Sequence, residues 1–499
     1  MTPDVDWFAL SPILSLLAAS GIALLGAVLV PRALRKLVGA TATALGFAGG
    51  VVFAALVYAA SEDGEAIIEG TFARDRFAAL AQIIVCGAGL LTVAISWGEP
   101  TRPWATTERG GDRHEGEYFA LLAAAGAGMA FLVAAGDLMV LFLGLEWFSI
   151  ALYILCAIAG ERVASLESGL KYLIVGSFGS AVLLFGSALV YGATGELEFG
   201  RIADSIRSGG LEDDPLLLAG LAMVIAGFAF KASAAPFHMW TPDVYQGAPT
   251  PVTAFMSAAT KTVALVLTLR VLVTAFPEQT EYWTIAIAVI ACISLAVGNL
   301  AALVQRDVKR LLAYSSVSHA GFMLIPIAAN NELGGRALLY YLIPYSAMSL
   351  GAFAVVAARE RELGSAVTLE SLSGFGWERP LLGVALAVFM FGFAGLPLTG
   401  GFVGKFYAFS AASDAGWTWL VIVGVVATAV SLYYYLNVVR ALFMRSAAEL
   451  QAVAVGGSPP REWLVQGAVG ACLLVTVGSF FAVQPLIEFA KDAANQLPF

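Results

Sequence analysis

The sequence predicts an all-α polytopic membrane protein with about fourteen transmembrane helices. Of its 499 residues, 59% are hydrophobic and only 13% are charged, whereas soluble domains carry about 25% charged residues. The mean hydropathy is +0.83. Stretches of about 20 apolar residues, the length that crosses the hydrocarbon core of a bilayer, follow one another along the chain and leave no soluble domain over.

The predicted membrane segments are separated by short polar loops. In chain order they lie near residues 11–30, 38–60, 77–96, 117–135, 138–159, 167–192, 215–238, 251–275, 283–304, 310–329, 336–358, 381–411, 416–440 and 463–484. Asp4 and Asp6, and no basic region, precede the first segment. We therefore expect segment 1 to be retained as a membrane helix and not cleaved as a signal.

Lysine and arginine residues in short loops set the orientation of a membrane protein, and here they separate by side. One set of alternate loops holds Arg32, Arg35, Lys36, Arg102, Arg109, Arg113, Arg162, Arg306, Lys309, Arg310, Arg359, Arg361, Arg379, Arg440, Arg445 and Arg461. The other set, with the two termini, holds only Arg74, Arg76, Arg201, Arg207, Arg336 and Lys491. This asymmetry predicts that both termini lie on the outer side of the membrane.

Segments 7 and 12 are predicted to be broken helices. Lys231 precedes Pro236 in segment 7, and a proline cannot donate a hydrogen bond to the carbonyl four residues earlier. Segment 12 is too long for a simple crossing, and it holds Gly395 and Pro397 ahead of Lys405. Irregular backbone at membrane depth is tolerated where protein or a wet cavity covers it. Both breaks are therefore candidate linings of a polar path, with plain proline kinks as the alternative.

The two broken segments lie five segments apart, which predicts two five-helix repeats of inverted topology. The predicted parts are 1–116 with helices 1–3, 117–275 as the first repeat with helices 4–8, 276–443 as the second repeat with helices 9–13, and 444–499 with helix 14 and the tail. The best sequence match between the repeats is Gly227-Phe-Ala with Gly392-Phe-Ala, each ahead of a proline. The repeats are therefore inferred mainly from spacing.

Four isolated charges, Glu146, Lys231, Lys261 and Lys405, lie deep inside apolar segments. A charge at the bilayer centre costs at least ~3 kcal/mol on insertion scales, so such residues mark ion or proton pathways. Burial disfavours the charged form of a lysine and a nearby carboxylate favours it, so moving a carboxylate can load or release a proton. The alternative is a static ion pair between Glu146 and Lys231, which would account for one lysine of the three.

Five further polar residues have weaker signals. Glu167 and Lys171, at i,i+4 spacing near the inner end of segment 6, fit a surface ion pair or a proton path equally. His238, after the segment 7 break, and His319, after a serine cluster, are candidate proton relays near neutral pH. A histidine satisfied by serine or backbone is the alternative for both. Arg270 lies near the outer end of segment 8 and is expected to extend its charged head toward the interface.

The sequence offers no signal for a bound cofactor. The four cysteines fall inside segments without C-x-x-C spacing, which favours packing roles over metal, iron–sulfur or disulfide roles. These are Cys86, Cys156, Cys292 and Cys472. Neither a P-loop nor a G-x-G-x-x-G motif after a strand occurs. We expect no cofactor and no metal in this chain, and no nucleic acid among its partners.

Three stretches carry a family resemblance. They read KASAAPFHMWTPDVYQGAPTP at 231–251, QRDVKRLLAYSSVSH at 305–319 and LPLTGGFVGK at 396–405. With these motifs the chain resembles, over essentially its whole length, the antiporter-like subunit N of bacterial proton-pumping NADH:quinone oxidoreductase, respiratory complex I.

The resemblance has implications for function and assembly. It implies proton transfer through Glu146, Lys231, Lys261 and Lys405, driven by quinone reduction elsewhere in the complex. It also implies FMN, iron–sulfur clusters and a quinone in other subunits, and contacts with lipid, with the antiporter-like subunit M and with small membrane-arm subunits. The expected location is the bacterial inner membrane, with both termini on the periplasmic side.

Two related assemblies remain as alternatives. Subunit M resembles this fold but has glutamate where Lys405 stands, and subunits L and M typically have histidine where Lys261 stands. Mrp-type cation/proton antiporter subunits look more like L and M, so an Mrp-type antiporter subunit is the alternative from another class. The photosynthetic counterpart of complex I uses a very similar subunit.

Overall fold

A computed structural model of the chain describes residues 5–97, 115–444 and 462–499. These residues form a helical bundle with one short β-hairpin. The helices up to the first break are α1 (Ser11–Leu29), α2 (Arg32–Ala60), α3 (Arg76–Ser96), α4 (Glu115–Leu132), α5 (Leu138–Ala157), α6 (Val163–Thr194), α7 (Phe199–Gly209) and α8 (Pro215–Lys231). The next are α9 (Trp240–Gly247), α10 (Thr250–Phe255), α11 (Lys261–Ala275), α12 (Thr280–Ala302), α13 (Val308–Ala329), α14 (Glu332–Leu363), α15 (Phe375–Glu378) and α16 (Pro380–Ala394). The last are α17 (Gly400–Asp414), α18 (Thr418–Met444), α19 (Trp463–Phe481) and α20 (Val483–Ala494).

Three smaller elements complete the chain path. A π-helical turn, Met256–Thr260, joins α10 to α11, and a 3₁₀ turn, Pro277–Gln279, precedes α12. Strand β1 (Glu65–Ile67) pairs antiparallel with β2 (Phe72–Arg74). The hairpin was not predicted from the sequence, because three-residue strands are too short to show an alternating pattern.

Within the described ranges, eleven helices are long and apolar enough to cross a membrane, by length and composition alone. The predicted segments 4, 7 and 12 are not among the eleven. Helix α4 is 18 residues long with two glutamates in its first turn, and segments 7 and 12 are divided into shorter helices. A polytopic membrane fold is therefore confirmed, and the count of fourteen crossings stays a prediction.

The interior of the bundle is formed by three spans. Every residue of 250–275 is buried except Thr274, which is half-buried, and α13 and α14 are almost as enclosed. In each of the surrounding spans, only 33–39% of the residues in the most apolar stretch are buried. These spans are α1, α2, α6, α18 and α19. Their outward faces carry leucine, isoleucine and phenylalanine side chains, which match a lipid environment. Lys261, the candidate residue in this span, thus lies in the most enclosed part of the molecule.

Ionic contacts connect the two ends of the chain on one face. Asp6 pairs with Arg74 at 3.1 Å, and Arg76 pairs with Asp492 at 3.8 Å. Gln496 accepts a hydrogen bond from the backbone N–H of Arg76 at 2.5 Å. Both termini therefore lie on the same side of the bundle. Five of the predicted inner-side cations lie outside the described residues: Arg102, Arg109, Arg113, Arg445 and Arg461.

Arg270 corrects one expectation. Its guanidinium does not extend to the interface, but makes two contacts of 2.8 Å with the carboxylate of Asp75. Both residues are buried, with 4% and 6% exposure. The paired acid was hidden from sequence reasoning because Asp75 looked like a loop residue. In the structure it also caps α3, by accepting a hydrogen bond from the N–H of Ala78.

Both predicted helix breaks are present and have the same backbone form. At the end of α8 the N–H of Ala234 bonds the carbonyl of Ala229, and at the end of α16 the N–H of Leu396 bonds the carbonyl of Phe391. This six-to-one bond is the Schellman helix terminus, which needs a left-handed residue. Ser233, with φ +58°, and Gly395, with φ +77°, supply it. Each helix therefore ends inside the bundle with its last carbonyls available to a cation.

Candidate functional site

Lys231 is the last residue of α8, and it is 5% exposed. Its ammonium donates a hydrogen bond of 2.7 Å to the hydroxyl of Ser149 on α5. The Ser149 hydroxyl in turn donates to the carbonyl of Leu145. Four aromatic rings have centroids 5.2–6.0 Å from the ammonium nitrogen: Phe148, Tyr153, Tyr172 and Phe230. Ring faces and the C-terminal end of a helix both favour a cation, so the protonated lysine is stabilised without a carboxylate contact.

Glu146 lies on α5, three residues before Ser149, and is half-buried. It makes no ion pair with Lys231 within 4.0 Å, and its Oε1 atom is buried without a hydrogen-bond partner in the described part of the chain. A direct static pair between the two residues is therefore not formed. Ser149, on the next turn of the same helix, is the group that contacts the lysine.

Lys261 is the first residue of α11 and follows the π-helical turn directly. It is 1% exposed, and its ammonium donates to the backbone carbonyl of Ser316 on α13. A π-turn carries one more residue than the α-helical path and often marks a functional position. From the sequence, residues 251–275 were predicted as one segment without a break, because no proline or glycine within Met256–Thr260 signals the extra residue.

His319 lies on α13 and is 1% exposed. Its Nδ1 is 3.0 Å from the hydroxyl of Tyr341, and its Nε2 is 3.2 Å from the hydroxyl of Tyr435. The Tyr435 hydroxyl also shares a hydrogen bond with Ser315. The partners of His319 are thus tyrosines on α14 and α18, and not the serine or backbone groups of the alternative.

Lys405 lies on α17 and is 3% exposed. Its ammonium donates to the carbonyls of Phe393 at 2.9 Å and Ala394 at 3.4 Å, the last two residues of α16. The ring centroid of Phe322 is 4.1 Å from the nitrogen. Lys405 therefore reaches back across the break and caps the helix in front of it.

Helix α13 connects Lys261, His319 and Lys405. Ser316 contacts Lys261, Phe322 contacts Lys405, and His319 lies midway between them on the helix. The three residues are spaced by three, so they follow one side of α13 over roughly 9 Å. Lys261, His319 and Lys405 thus form a row across the interior.

Glu167 and Lys171 belong to a separate cluster at the predicted inner side. The Lys171 ammonium is 2.6 Å from Glu167 and 2.8 Å from Asp243 on α9. Arg310 pairs with the other oxygen of Asp243 at 2.6 Å. Burial alone raises the pKa of the Asp243 carboxyl, but the hydrogen bonds from Lys171 and Arg310 outweigh burial and hold that pKa below its ordinary value.

His238 lies between α8 and α9 and is half-buried. Its Nδ1 atom is buried without a hydrogen-bond partner among the residues described, and its ring centroid is 6.4 Å from that of Tyr314. No hydrogen bond joins it to Lys231 or Lys261. The geometry therefore places His238 beside the break but outside the lysine row.

The groups that contact Lys231 and His319 were not found from the sequence. Ser149 and the tyrosines around His319 carry no isolated charge, so a search for charges in apolar segments does not find them. Ser149 lies three residues after Glu146 on α5, and this spacing indicates a shared helix face once Glu146 has been chosen as a candidate. Among the residues that the structure describes, no group of three or more His, Cys, Asp or Glu side chains is placed to hold a metal ion.

The chain is similar in sequence and in fold to proteins of known family. The family described as "NADH:quinone oxidoreductase/Mrp antiporter, TM" matches residues 135–431. NADH-quinone oxidoreductase subunit N of Trichlorobacter lovleyi is 42% identical over 421 residues, covering 84% of each chain. A chain of respiratory complex I from Thermus thermophilus is 33% identical with a TM-score of 0.79, covering 96% of this chain and 99% of that one. A chain of the Mrp complex from Dietzia, 22% identical with a TM-score of 0.82, covers 98% of this chain and 97% of its own length, and shows the fold alone.

Proposed function

Because the chain belongs to the NADH:quinone oxidoreductase/Mrp antiporter family, and its relatives include subunits N of NADH-quinone oxidoreductase, we propose that it translocates protons as a membrane subunit of that enzyme. One observation carries the proposal. The three lysines Lys231, Lys261 and Lys405 are almost fully buried, and each ammonium bonds to neutral oxygens and not to a carboxylate.

Neutral partners leave the protonation state of these lysines open to change. A buried ion pair fixes both charges, because separating them leaves an unpaired charge at a cost of several kcal/mol. A lysine held by hydroxyl and carbonyl oxygens loses less when its amine becomes neutral. Its proton affinity then follows the position of the nearest carboxylate and of water.

We assign a role to each buried group on the basis of this arrangement. Glu146 adjusts the proton affinity of Lys231 from the neighbouring turn of α5, and Lys261 is the central relay. His319 carries the proton from Lys261 toward Lys405, which is the terminal donor. Each proton is raised against about 2.3 kcal/mol per 100 mV, so no lysine meets both aqueous phases at once. Glu167, Lys171 and His238 have supporting roles in proton delivery near the first break.

The remaining assignments concern the whole assembly. In this proposal, FMN, iron–sulfur clusters and quinone act in other subunits of the enzyme. Its neighbours are the antiporter-like subunit M and small membrane-arm subunits, in a bacterial inner membrane with both termini on the periplasmic side. The contact of both termini with Arg74 and Arg76 supports the last point.

An Mrp-type antiporter subunit is the second candidate, favoured by the shared fold. Against it stand Lys261 and Lys405, since Mrp-type subunits resemble L and M. Subunits L and M typically have histidine where Lys261 stands, and subunit M has glutamate where Lys405 stands. Lysines also lack the clustered oxygens that coordinate a hard cation such as sodium. Sodium uptake coupled to NADH oxidation and resistant to uncoupler would favour this candidate.

Lys231→Met tests the proposal. Methionine keeps an apolar stem and removes the titratable amine, so we expect the complex to assemble and its NADH-driven proton translocation to fall steeply. Lys231→Arg should also fail, because guanidinium keeps its proton. Assembly is checked on native gels and by electron transfer to an artificial acceptor. A Met variant that assembles and keeps the wild-type proton-to-electron ratio would contradict the proposal.

A further inference from the structure

A polar cavity opens at the end of the bundle formed by the predicted inner loops. Its volume is about 240 Å³, and its lining includes Arg162, Lys171, Asp243, Asp307, Lys309 and Glu360. Lys171 and Glu167 at its rim are 42% and 57% exposed, so the cavity is continuous with the aqueous phase. It has room for several water molecules and enough polar groups to hold them.

The floor of the cavity is a buried acid–base pair that no part of the proposed proton row uses. Lys309 and Glu360 are 2% and 4% exposed, and their charged atoms are 3.8 Å apart. Thr250 connects them, because its hydroxyl accepts from Lys309 at 3.0 Å and donates to Glu360. The Oε1 atom of Glu360 is buried and has no hydrogen-bond partner among the described residues. The carboxylate thus has one oxygen free to accept a proton.

A stripe of hydroxyl groups leads from this pair to Lys261. Thr250, Thr253, Ser257 and Lys261 are spaced by three, four and four residues, which places them on one face of the 250–275 span. All four are buried, at 0–3% exposure. Ser349 on α14 extends the stripe sideways by donating to Ser257 at 2.7 Å. Successive positions on such a face lie about 5–6 Å apart at Cβ, which is a gap that one water molecule bridges.

We propose that Glu360 is the proton acceptor through which the inner aqueous phase supplies Lys261, with the Thr250–Ser257 face as the route. This inference rests on the proposed function. A hydronium ion in the cavity gives its proton to the Glu360 carboxylate and leaves as water. The carboxylic proton then passes along the hydroxyl face to the neutral amine of Lys261, and Glu360 returns to the carboxylate form.

The test measures proton translocation per NADH in the whole membrane-embedded enzyme. Glu360→Gln should lower the proton-to-electron ratio as much as Lys261→Met does, and the two changes together should lower it no further, because they interrupt one route. The matched control is Glu370→Gln, which changes an exposed acid on the adjoining inner loop and should keep the wild-type ratio. A Glu360→Gln enzyme with the wild-type ratio would overturn the inference.

A second pair of variants separates proton transfer from structure. If Glu360 only neutralises Lys309, removing both charges in Lys309→Met/Glu360→Gln should restore the ratio, and that result would also overturn the inference. Should these variants fail to assemble, Ser257→Ala/Ser349→Ala removes only two hydroxyls. We expect it to slow proton uptake at least fivefold, and an unchanged rate would count against the route. An unchanged ratio in Lys261→Met would instead contradict the proposed function itself.

Discussion

The two helix breaks end in the same backbone motif but hold their lysines in opposite ways. At the first break, Lys231 lies on α8 itself, two residues before the left-handed Ser233. At the second break, Phe393 occupies the position two residues before the left-handed Gly395, and its carbonyl accepts a hydrogen bond from Lys405 on the far side of the break. The ammonium of Lys405 thus contacts a helix end from across the break, whereas the ammonium of Lys231, which belongs to the ending helix, contacts Ser149 on α5.

The two lysines also differ in how readily their charge environment can change. Lys231 contacts a hydroxyl on α5, the helix that carries Glu146, so a small shift of α5 changes the charge environment of the lysine. Lys405 contacts backbone carbonyls, which stay in place as long as α16 keeps its end. The first site is therefore suited to respond to a neighbouring carboxylate, and the second holds its cation by the fixed helix end.

Replacing Lys405 with methionine should give the largest effect and the sharpest contrast with Lys231→Met. Both variants lose the titratable amine, but Lys405→Met also leaves the carbonyls of Phe393 and Ala394 without their donor. We expect a loss of about 1–3 kcal/mol of stability, together with the loss of proton translocation. Lys231→Met leaves Ser149 bonded to Leu145 and should melt close to wild type. Equal melting temperatures for the two variants would remove the distinction between the sites.

Gly395→Ala tests whether the shape of the second break positions its lysine. A Cβ at Gly395 would lie 2.9 Å from Cδ of Lys405, in a left-handed backbone of φ +77°. We expect a stability loss of about 1–2 kcal/mol from the backbone alone and a lower proton-to-electron ratio from the displaced lysine. Gly416→Ala is the matched control, since its φ is +81° but nothing lies within 4 Å of the added Cβ. It should lose similar stability and keep the ratio.

Ser149→Ala should give the smallest effect and acts on the first break alone. It removes the oxygen partner of Lys231, at a cost of about 1 kcal/mol, and should slow proton translocation several-fold. Ser187→Ala is the control, because Ser187 is also a buried helix serine that donates to the carbonyl four residues earlier, at 3.0 Å, without touching a lysine. If the two variants translocate protons at the same rate, the hydrogen bond between Ser149 and Lys231 does not contribute to proton translocation.

Much of this fold could be predicted from hydropathy, because a membrane requires long apolar helices and tolerates few charges. Both breaks were located correctly from Pro236 and from the Gly395–Pro397 run. The structural equivalence of the two breaks could not be found from the sequence, because Ser233 and Gly395 share a left-handed backbone conformation but are different residue types. The matched Gly227-Phe-Ala and Gly392-Phe-Ala motifs lie six and three residues before these left-handed positions, so they are out of register with the shared backbone motif.

The buried charges were the most predictable part of the site, because a charge in an apolar segment stands out without an alignment. Their partners depend on contacts between helices far apart in sequence. Lys231 meets Ser149 across 82 positions, and Lys261 meets Ser316 across 55. Lys309 was assigned to an inner loop by its charge, but it lies on α13 and is 2% exposed.

The ion pair between Arg270 and Asp75 bears on how the chain is made. The two residues are 195 positions apart, so Asp75 leaves the ribosome long before its partner exists. Until α11 has been made, the cations near Asp75 are its sequence neighbours Arg74 and Arg76, and its buried partner Arg270 does not yet exist. The contact at the start of α3 can therefore form only after synthesis has continued through α11, eight helices later.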